Sequence, residues 1–268
     1  MTTLIDYISK IRSEGYRSFT ANQVAQALNI TPKAVILKCM RLKNKGELLS
    51  PVKGLYIPIP AEHQKLGTLP LEELIPLVMD FLKIEYYVCL LSAALYHGAS
   101  HQKPQVYQIM TNYRGVKINA GKMKIDLIYK KNLKNLPVIK TITKTGYLQV
   151  STPELTLVDL LLYPKPTGGL NTIATVLTEL IEVIDANKLI LLSEAISHKI
   201  WIQRLGYILE HIDSVDKDKQ LFLIDKLEKH VSSNKYSYIP LSPELPIKGC
   251  ERDKKWKIII NATIEADE

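Results

Sequence analysis

The stretch from Thr20 to Arg41, TANQVAQALNITPKAVILKCMR, constrains the fold of this chain more than any other part of it. Thr20, with Gln23 three positions later, matches a capping box, in which each side chain bonds the other residue's backbone N–H at the start of a helix. Thr31 and Pro32 repeat the signal, because threonine is a good N-cap and proline is tolerated at the first helical position. The sequence therefore predicts two short helices joined by a tight turn.

The second of these helices has one apolar stripe and one basic face. Val35, Cys39 and Leu42 recur at spacings of four and three, so we expect them to share a buried face. The opposite face suits a recognition helix, since side chains near the N-terminus of such a helix reach base edges while Lys and Arg neutralise phosphates. A solvated basic face on a plain three-helix module is the alternative. The predicted DNA-binding residues of this stretch are Thr20, Gln23, Thr31, Lys33, Ala34, Leu37, Lys38, Arg41 and Lys45.

A helix precedes this stretch and a hairpin follows it. Residues 4–11 carry an amphipathic helical pattern. Two short apolar runs, at 47–49 and 55–57, flank a turn rich in Pro and Gly, which predicts a hairpin. Lys53 lies at the predicted tip of this wing, where we expect it to contact the DNA backbone.

The apolar pattern changes after the hairpin, and this change suggests domain boundaries. We expect residues 58–60, Pro-Ile-Pro, to end the hairpin ladder, because proline donates no backbone hydrogen bond. Residues 1–60 are therefore predicted to form a winged helix-turn-helix domain and residues 61–70 a linker. Residues 71–268 are predicted to form a larger mixed α/β domain with a small sheet and a C-terminal helical array. The expected fold class is α+β.

The middle of the chain alternates between helical and β periodicity. Two apolar helices are predicted at 71–82, bent or interrupted at Pro76, and at 86–97. Short β-rich runs, parted by Gly, Asn and Pro, then predict a small mixed sheet with strands at 106–110, 124–129 and 147–150.

The last third of the chain is mainly helical in pattern. Thr152-Pro153 starts a helix by the same cap-then-proline rule. Helical periodicity then predicts helices over 173–184, 189–200, 201–212 and 216–231. The apolar run at 256–260 is predicted to form a strand that could return to the sheet.

None of the common catalytic or cofactor signatures occurs in the sequence. It contains no P-loop, no dinucleotide fingerprint and no HExxH pair. Cys89, His97 and His101 match no common zinc spacing, and Glu154 lies in a first helical turn, where a negative charge is ordinarily found. We therefore expect no enzymatic activity, no catalytic residues, no cofactor and no metal. A metal-dependent nuclease built around Asp126 is kept as a rival.

Cysteine usage and hydropathy indicate the compartment. Cys39, Cys89 and Cys250 show neither disulfide nor thiol-motif spacing, which suits a reducing environment. The chain begins without a basic signal-peptide region, and no segment is a long uncharged apolar run. We expect a cytoplasmic protein that does not contact a membrane.

Several motifs follow the predicted winged helix in a recognisable order. They are LSAALYHG at 91–98, a basic β-region, GYLQVSTPELTLVDLLLYP at 146–164, and QRLGYILE at 203–210. This order resembles the AbiEi family of abortive-infection antitoxins, and VSTPELTLVDLL is its most specific piece. The resemblance implies an antitoxin of a bacterial, phage-defence toxin–antitoxin system. Such a protein represses its own operon and counteracts a nucleotidyltransferase-like toxin encoded beside it. The tail after Tyr236 matches no part of the family pattern.

The net charge of +8 is concentrated in two separate segments. Residues 1–65 hold ten Lys and Arg against four Asp and Glu, and residues 103–144 hold ten against Asp126 alone. Clustered cations indicate a polyanionic partner, but lysines on a strand edge also prevent aggregation, and both interpretations stay open for the second segment. The predicted second surface, facing DNA or the toxin, comprises Lys117, Lys122, Lys124, Lys130 and Lys131.

Two classes of function fit these observations. The first is a DNA-binding antitoxin and autorepressor whose partners are the operator of its own operon and a toxin, bound directly or counteracted indirectly. The alternative is a one-component transcriptional regulator that senses a small molecule through its C-terminal domain. A neighbouring gene for a nucleotidyltransferase favours the first, and a metabolite bound to the purified protein favours the second.

Overall fold

The computed structural model of the protein describes residues 3–99, 104–144, 146–196 and 198–265. Within these ranges the chain forms ten α-helices and three small β-sheets, which confirms the predicted α+β class. The element order is also the predicted one: three helices and a hairpin, then a small sheet, then a helical array. Among the helices of the described ranges, none is both long and apolar enough to cross a bilayer.

The chain divides into two compact units whose segments interleave along the sequence. Unit 1 comprises residues 1–87, 105–133 and 140–149, and unit 2 comprises residues 88–104, 134–139 and 150–268. This division differs from the boundaries predicted at 60 and 70. The predicted antitoxin domain contains all of unit 2 together with a part of unit 1.

The N-terminal module, residues 3–60 of unit 1, has three capped helices and a short hairpin. The helices are α1 (Leu4–Ser13), α2 (Ala21–Leu28) and α3 (Pro32–Asn44), and the hairpin strands are β1 (Leu48–Leu49) and β2 (Ile57–Pro58). Phe19 adds an antiparallel bridge to Tyr56 beside the hairpin. A buried apolar cluster joins the helices to this bridge and includes the predicted stripe of Val35, Cys39 and Leu42.

The hairpin pairing extends further than the sequence predicted. Pro58 lies opposite Leu48, and the Ile59 N–H donates to the Glu47 carbonyl at 2.9 Å. The expectation that residues 58–60 end the ladder is therefore wrong. In an antiparallel pair only every second residue of a strand bonds to the partner strand. Pro58 is at a position that does not bond to β1, so its missing N–H costs no ladder bond and Ile59 still donates.

A second apolar cluster of unit 1 lies on the other side of the hairpin. It joins Leu49 and Ile57 to α4 (Leu71–Leu82), and its further members include Ile109 and Ala120. Helix α4 is continuous through Pro76, so the predicted interruption does not occur. Within the predicted linker, residues 61–63 form a 3-10 turn and Leu69 is buried in this cluster, so part of that segment is core.

A five-stranded sheet follows α4 in the chain. Its strands are β3 (Tyr86–Val88), β4 (Val106–Thr111), β5 (Lys124–Tyr129), β6 (Val138–Thr143) and β7 (Gly146–Ser151). Their spatial order is β5-β4-β3-β7-β6, so β5 and β6 are the outer strands. The pairs β4–β5 and β3–β7 are parallel.

The helix predicted over 86–97 is in fact a strand followed by a helix. Residues 86–88 form the central strand β3, and the helix α5 (Leu90–Tyr96) begins after Cys89. A fully buried strand is apolar at every position, so periodicity alone does not separate it from a buried helix.

The helical array of unit 2 matches the predicted pattern closely. It comprises α6 (Pro153–Leu162), α7 (Leu170–Leu180), α8 (Ala186–Ala195), α9 (Ile200–Leu209) and α10 (Lys217–Ser232). The tail adds β8 (Ile239–Pro240), β9 (Glu251–Asp253) and β10 (Ile258–Ile260). The predicted strand at 256–260 is present as β10, but it belongs to a separate three-stranded sheet of order β8-β10-β9.

Candidate functional site

Side-chain caps fix the start of both helices in the helix-turn-helix. The Thr20 N–H donates to Gln23 Oε1 at 2.7 Å, and the Gln23 N–H donates to Thr20 Oγ1 at 3.3 Å. At α3, the Ala34 N–H donates to Thr31 Oγ1 at 3.3 Å. Asn29, in the left-handed conformation at φ 51°, turns the chain between the two helices. These side chains position α3, and a contact of Thr20, Gln23 or Thr31 with DNA remains a prediction.

Helix α3 has the two faces that its sequence predicts. Val35 and Cys39 are completely buried and Leu42 nearly so. The predicted DNA-facing residues Lys33, Leu37, Lys38, Arg41 and Lys45 are all exposed, while Ala34 is half-buried. The sequence from 15 to 46 contains no Asp or Glu, so no acidic residue of α2 or α3 offsets these cations.

Sequence reasoning missed some exposed residues on α3. Met40 and Asn44 are exposed and lie three and seven positions after Leu37, which places them on the same helical stripe. Ile36 and Lys43 are exposed beside that stripe. The signal that identifies Met40 and Asn44 is their helical spacing from Leu37, which was itself predicted to contact DNA.

The wing tip is held in place by two other parts of unit 1. The Asn119 N–H donates to the Pro51 carbonyl at 2.8 Å, and the Phe81 ring lies close to Gly54. Gly54 has a φ of +92°, which closes the turn in a conformation that L-residues rarely adopt. Lys53 is exposed at this tip, as predicted.

The second basic surface lies partly in a loop that is bound to residues near the wing. Lys117, Lys122, Lys124 and Lys131 are exposed, whereas Lys130 is half-buried and its Nζ donates to the Tyr87 hydroxyl at 3.2 Å. Met123 and Ile125 pack on the second cluster of unit 1, so side chains alternate between surface and core here. Strand β5 begins at Lys124, as predicted, and Lys122 lies in the loop before it, where its N–H donates to the Leu66 carbonyl.

In unit 2, the LSAALYHG and VSTPELT motifs are joined by a buried polar network. His97 Nε2 lies 2.7 Å from the Ser151 carbonyl, and since a carbonyl only accepts, this nitrogen carries the proton. Ser151 Oγ lies 2.6 Å from Thr156 Oγ1 and donates to the Val88 carbonyl at 3.3 Å. The buried Glu154 Oε1 accepts from the Asp185 N–H at 2.9 Å. These hydrogen bonds connect the end of α5, strands β3 and β7, helix α6 and the start of α8, so the polar groups have a structural function in unit 2.

We expect His97 to make the protein less stable at acidic pH. Burial lowers the pKa of His97 from its usual value of 6.5, more than the Ser151 bond and the Glu154 charge raise it. The unfolded chain therefore takes up a proton first, so the free energy of unfolding is fully present above pH 6.5 and falls as the pH drops below it.

Urea unfolding of the full chain at pH 8 and pH 5.5 measures this dependence. The loss for one such group is at most about 1.4 kcal/mol per pH unit. In His97→Gln, whose amide can replace the Nε2 donor, the loss should be smaller. His230, whose pKa burial also lowers, contributes to the part that remains. An equal pH dependence in the variant would contradict the assignment to His97.

The QRLGYILE motif of α9 anchors the C-terminal tail. Gln203 Nε2 lies within 3.1 Å of the carbonyls of Ser237, Trp256 and Lys257. The buried Arg204 donates through Nε and Nη2 to the Pro240 carbonyl, at 3.3 and 3.2 Å, and through Nη1 to the Leu161 carbonyl, at 3.2 Å. The tail, whose role the sequence left open, is therefore part of the packed structure of unit 2.

Gly206 and Glu210 complete this anchor. The Trp256 ring is completely buried and covers Gly206 so closely that a Cβ at this position would overlap it. Trp256 Nε1 donates to Glu210 Oε2 at 2.7 Å, and Lys255 Nζ lies 2.6 Å from Glu210 Oε1. The motif has a structural function: it bonds and covers the returning tail.

The metal set considered from the sequence is only partly visible, because His101 lies outside the described residues. In the described part of the chain, no three His, Cys, Asp or Glu side chains are placed to hold one ion. Asp126 lies half-buried in the middle of β5, opposite Gln108 of β4.

Comparisons with known proteins identify the family of the central region. Residues 86–211 match the family model of the AbiEi antitoxin C-terminal domain. No curated protein matches the sequence. The crystal structure of the RV2827C protein from Mycobacterium tuberculosis has a similar fold, with a TM-score of 0.64 over 94% of this chain and 89% of that one, at 16% identity. The family match confirms the resemblance drawn from the motifs: residues 86–211 form an AbiEi antitoxin C-terminal domain, which supports an antitoxin role in a toxin–antitoxin system.

Proposed function

We propose that this protein is an AbiEi-type antitoxin and also a DNA-binding repressor of its own operon, acting on DNA through the N-terminal module. The observation that carries the proposal is the outward face of α3, where Lys33, Lys38 and Arg41 are exposed on a helix without acidic residues. Such a helix places side chains at base edges in the major groove and cations at the flanking phosphates.

The second basic surface extends this DNA-binding face. The Asn119–Pro51 hydrogen bond holds the loop of Lys117 against the wing tip, within the same unit. Lysine is a point charge that attracts phosphates without reading bases. Lys53, Lys117, Lys122 and Lys124 therefore add affinity for any duplex and a longer footprint, while α3 supplies the sequence preference. The rival role for this surface is docking of an acidic toxin face.

Repression is tested with the full chain and the DNA upstream of its own gene. We expect nuclease protection of a discrete site there, and lower expression of a reporter under the same promoter. Protection that disappears with an excess of random duplex, together with an unaffected reporter, would contradict the proposal.

Charge reversal separates the two roles of the second basic surface. We expect Lys122→Glu with Lys124→Glu to shorten the protected footprint and to weaken binding of specific and random duplex alike, because phosphate contacts carry no sequence information. Growth rescue from the toxin should be unchanged. An unchanged footprint with lost rescue would assign this surface to the toxin instead.

We further propose that the toxin is nucleotidyltransferase-like and that the AbiEi domain counteracts it. The support is the family match over residues 86–211, which includes all five strands of the five-stranded sheet and helices α5 to α9. Co-expression with the neighbouring gene product, scored for growth, tests this. A DNA-binding-deficient full-length variant that still rescues growth would show that neutralisation does not require repression.

One cavity favours the alternative of a small-molecule sensor. It has a volume of about 320 Å³, lies in unit 2, and is lined by Lys199, Asn234, Lys235 and Tyr236 among others. Two lysines beside amide and hydroxyl groups suit a small anion. Native mass spectrometry of the purified full chain tests this function, since a bound metabolite would appear as a discrete added mass.

A further inference from the structure

The outward face of α3 carries exposed apolar side chains among its cations. The side chains of Ile36, Leu37 and Met40 are 41%, 56% and 53% exposed. Three large apolar side chains on one solvent-facing helix are costly in water, at about 25 cal/mol for each Å² that remains unburied. Such a patch, surrounded by charged groups, marks a binding surface.

The positions of these side chains on the helix place two of them at its centre. Leu37 and Met40 lie on the side opposite the buried Val35–Cys39 stripe, with Lys33 one turn before them and Asn44 one turn after. They are separated by about 4.5 Å along the helix axis, at 1.5 Å per residue. This rise exceeds the 3.4 Å spacing of bases in a strand by only about 1 Å, so on a helix placed in the major groove the two side chains can contact neighbouring base pairs.

Charge decides which partner covers this face. Exposed cations flank the apolar centre along the helix, with Lys33 before it and Arg41 and Lys43 after it, and no acidic residue occurs between 15 and 46. A protein surface that buried the centre would need a ring of acidic groups around it, whereas duplex DNA supplies a ring of phosphates around every groove. Inside the major groove, the apolar group that a base presents is the C5-methyl of thymine.

We propose that Leu37 and Met40 read thymine methyl groups, so that the site preferred by this protein has thymines at the centre of the α3 contact. The inference rests on the proposed DNA-binding function and deepens it. Leu37 and Met40 are specificity-determining residues, and Lys33 and Arg41 supply attraction at the ends of the same face. Ile36 lies at the flank of the stripe and contributes less.

Uracil substitution tests the proposal, because deoxyuridine lacks only the C5-methyl of thymidine. The full chain is used to select duplexes from a random pool, and the best duplex is resynthesised with one thymidine at a time replaced. We expect one to three positions at which uracil weakens binding by about fourfold, the factor that corresponds to about 0.8 kcal/mol for one buried methyl. Other thymidines should tolerate the change.

Side-chain variants show which residue contacts each thymine methyl group. Leu37→Ala and Met40→Ala should each bind the thymidine duplex more weakly. Each variant should also lose the uracil effect at one position, and the two positions should differ, because in a double-mutant cycle removing one partner of a contact removes the effect of changing the other. Ile5→Ala is the matched control, since Ile5 is an equally exposed apolar side chain on α1, and it should retain every uracil effect.

The outcomes distinguish this inference from the function on which it rests. Failure to select any duplex would overturn the proposed DNA binding and this inference with it. Tight binding that is insensitive to uracil at every position would overturn the inference alone. A uracil effect that persists in both Leu37→Ala and Met40→Ala would also overturn it, because the methyl would then be read by another residue or through DNA shape.

Discussion

Replacing Gly206 with alanine is expected to lower the stability of the protein substantially, although the same change stabilises most helices. Glycine inside a helix costs roughly 0.5–1 kcal/mol relative to alanine. At Gly206, however, an added Cβ would overlap the buried Trp256 ring, and forcing extra volume into a packed core costs about 1–3 kcal/mol or more. The overlap outweighs the helix propensity because the ring is held by its bond to Glu210.

The measurement is the midpoint of thermal unfolding of the full chain, followed by circular dichroism. A net loss of about 2 kcal/mol corresponds to a decrease of roughly 4–8 °C for a domain of this size. Trp256→Leu provides the control background, since it removes the ring that Gly206 accommodates. There, Gly206→Ala should be neutral or slightly stabilising. An equal decrease in both backgrounds would contradict the explanation by overlap.

Reversing two charges on α3 is expected to abolish specific DNA binding without unfolding the protein. Lys33 and Arg41 are exposed and lie outside the buried stripe, so their replacement by Glu removes no core contact. Each lost base or phosphate contact of this kind costs roughly 1–3 kcal/mol, and the new carboxylates repel the backbone. The double variant should therefore bind its site at least about 100-fold more weakly.

Salt titration gives this prediction a second measurement. Loss of two phosphate contacts should reduce the slope of log affinity against log salt by about two units. Lys165→Glu with Lys188→Glu is the matched control, because both lysines are exposed in unit 2 and the change in net charge is the same. A similar loss in the control would show that total charge, and not the face of α3, determines binding. A fall in the thermal midpoint of the Lys33/Arg41 variant would mean that the helix faces were assigned incorrectly.

Local signals in the sequence predicted the local structure well. The capping box at Thr20 and the cap at Thr31 both appear with the expected hydrogen bonds, and the helix after Thr152 begins at Pro153. These interactions join residues three positions apart, so nothing distant can change them easily. The buried stripe of α3 follows for the same reason.

Errors occurred where distant strands decide the structure. Residues 86–88 became a central strand because β4 and β7 lie on either side of them, and their own apolar pattern does not encode that pairing. Strand β6 was missed, because VIKTIT lies among lysines and its side chains are largely exposed. The tail strand β10 was predicted, but its partners β8 and β9 were not, since both are short and carry little β signal of their own.

In the candidate site, the exposed positions of the charged residues were predictable from the sequence, whereas the contacts between its loops were not. The exposed cations of α3 follow from helical spacing, whereas the contact of the Lys117 loop with the wing depends on a backbone hydrogen bond between Asn119 and Pro51. Almost any residue type can form a backbone hydrogen bond between two loops, so such a bond cannot be recognised in the sequence. The anchoring role of Gln203 and Gly206 was equally invisible, because the tail that they hold is distant in sequence.

The hairpin of the N-terminal module has consequences for how this chain emerges from the ribosome. Every residue of the cluster that supports α3 lies between Leu4 and Tyr56, so that cluster closes early in synthesis. The cluster on the opposite side of the hairpin is complete only when β5 has been synthesised. Synthesis of the chain from Leu49 to Leu127 takes roughly 4–16 s at roughly 5–20 residues per second. A nascent chain that stalls in this interval carries a packed α3 beside an uncovered apolar surface. We therefore expect chaperones and proteases to engage such a stalled chain through this uncovered surface.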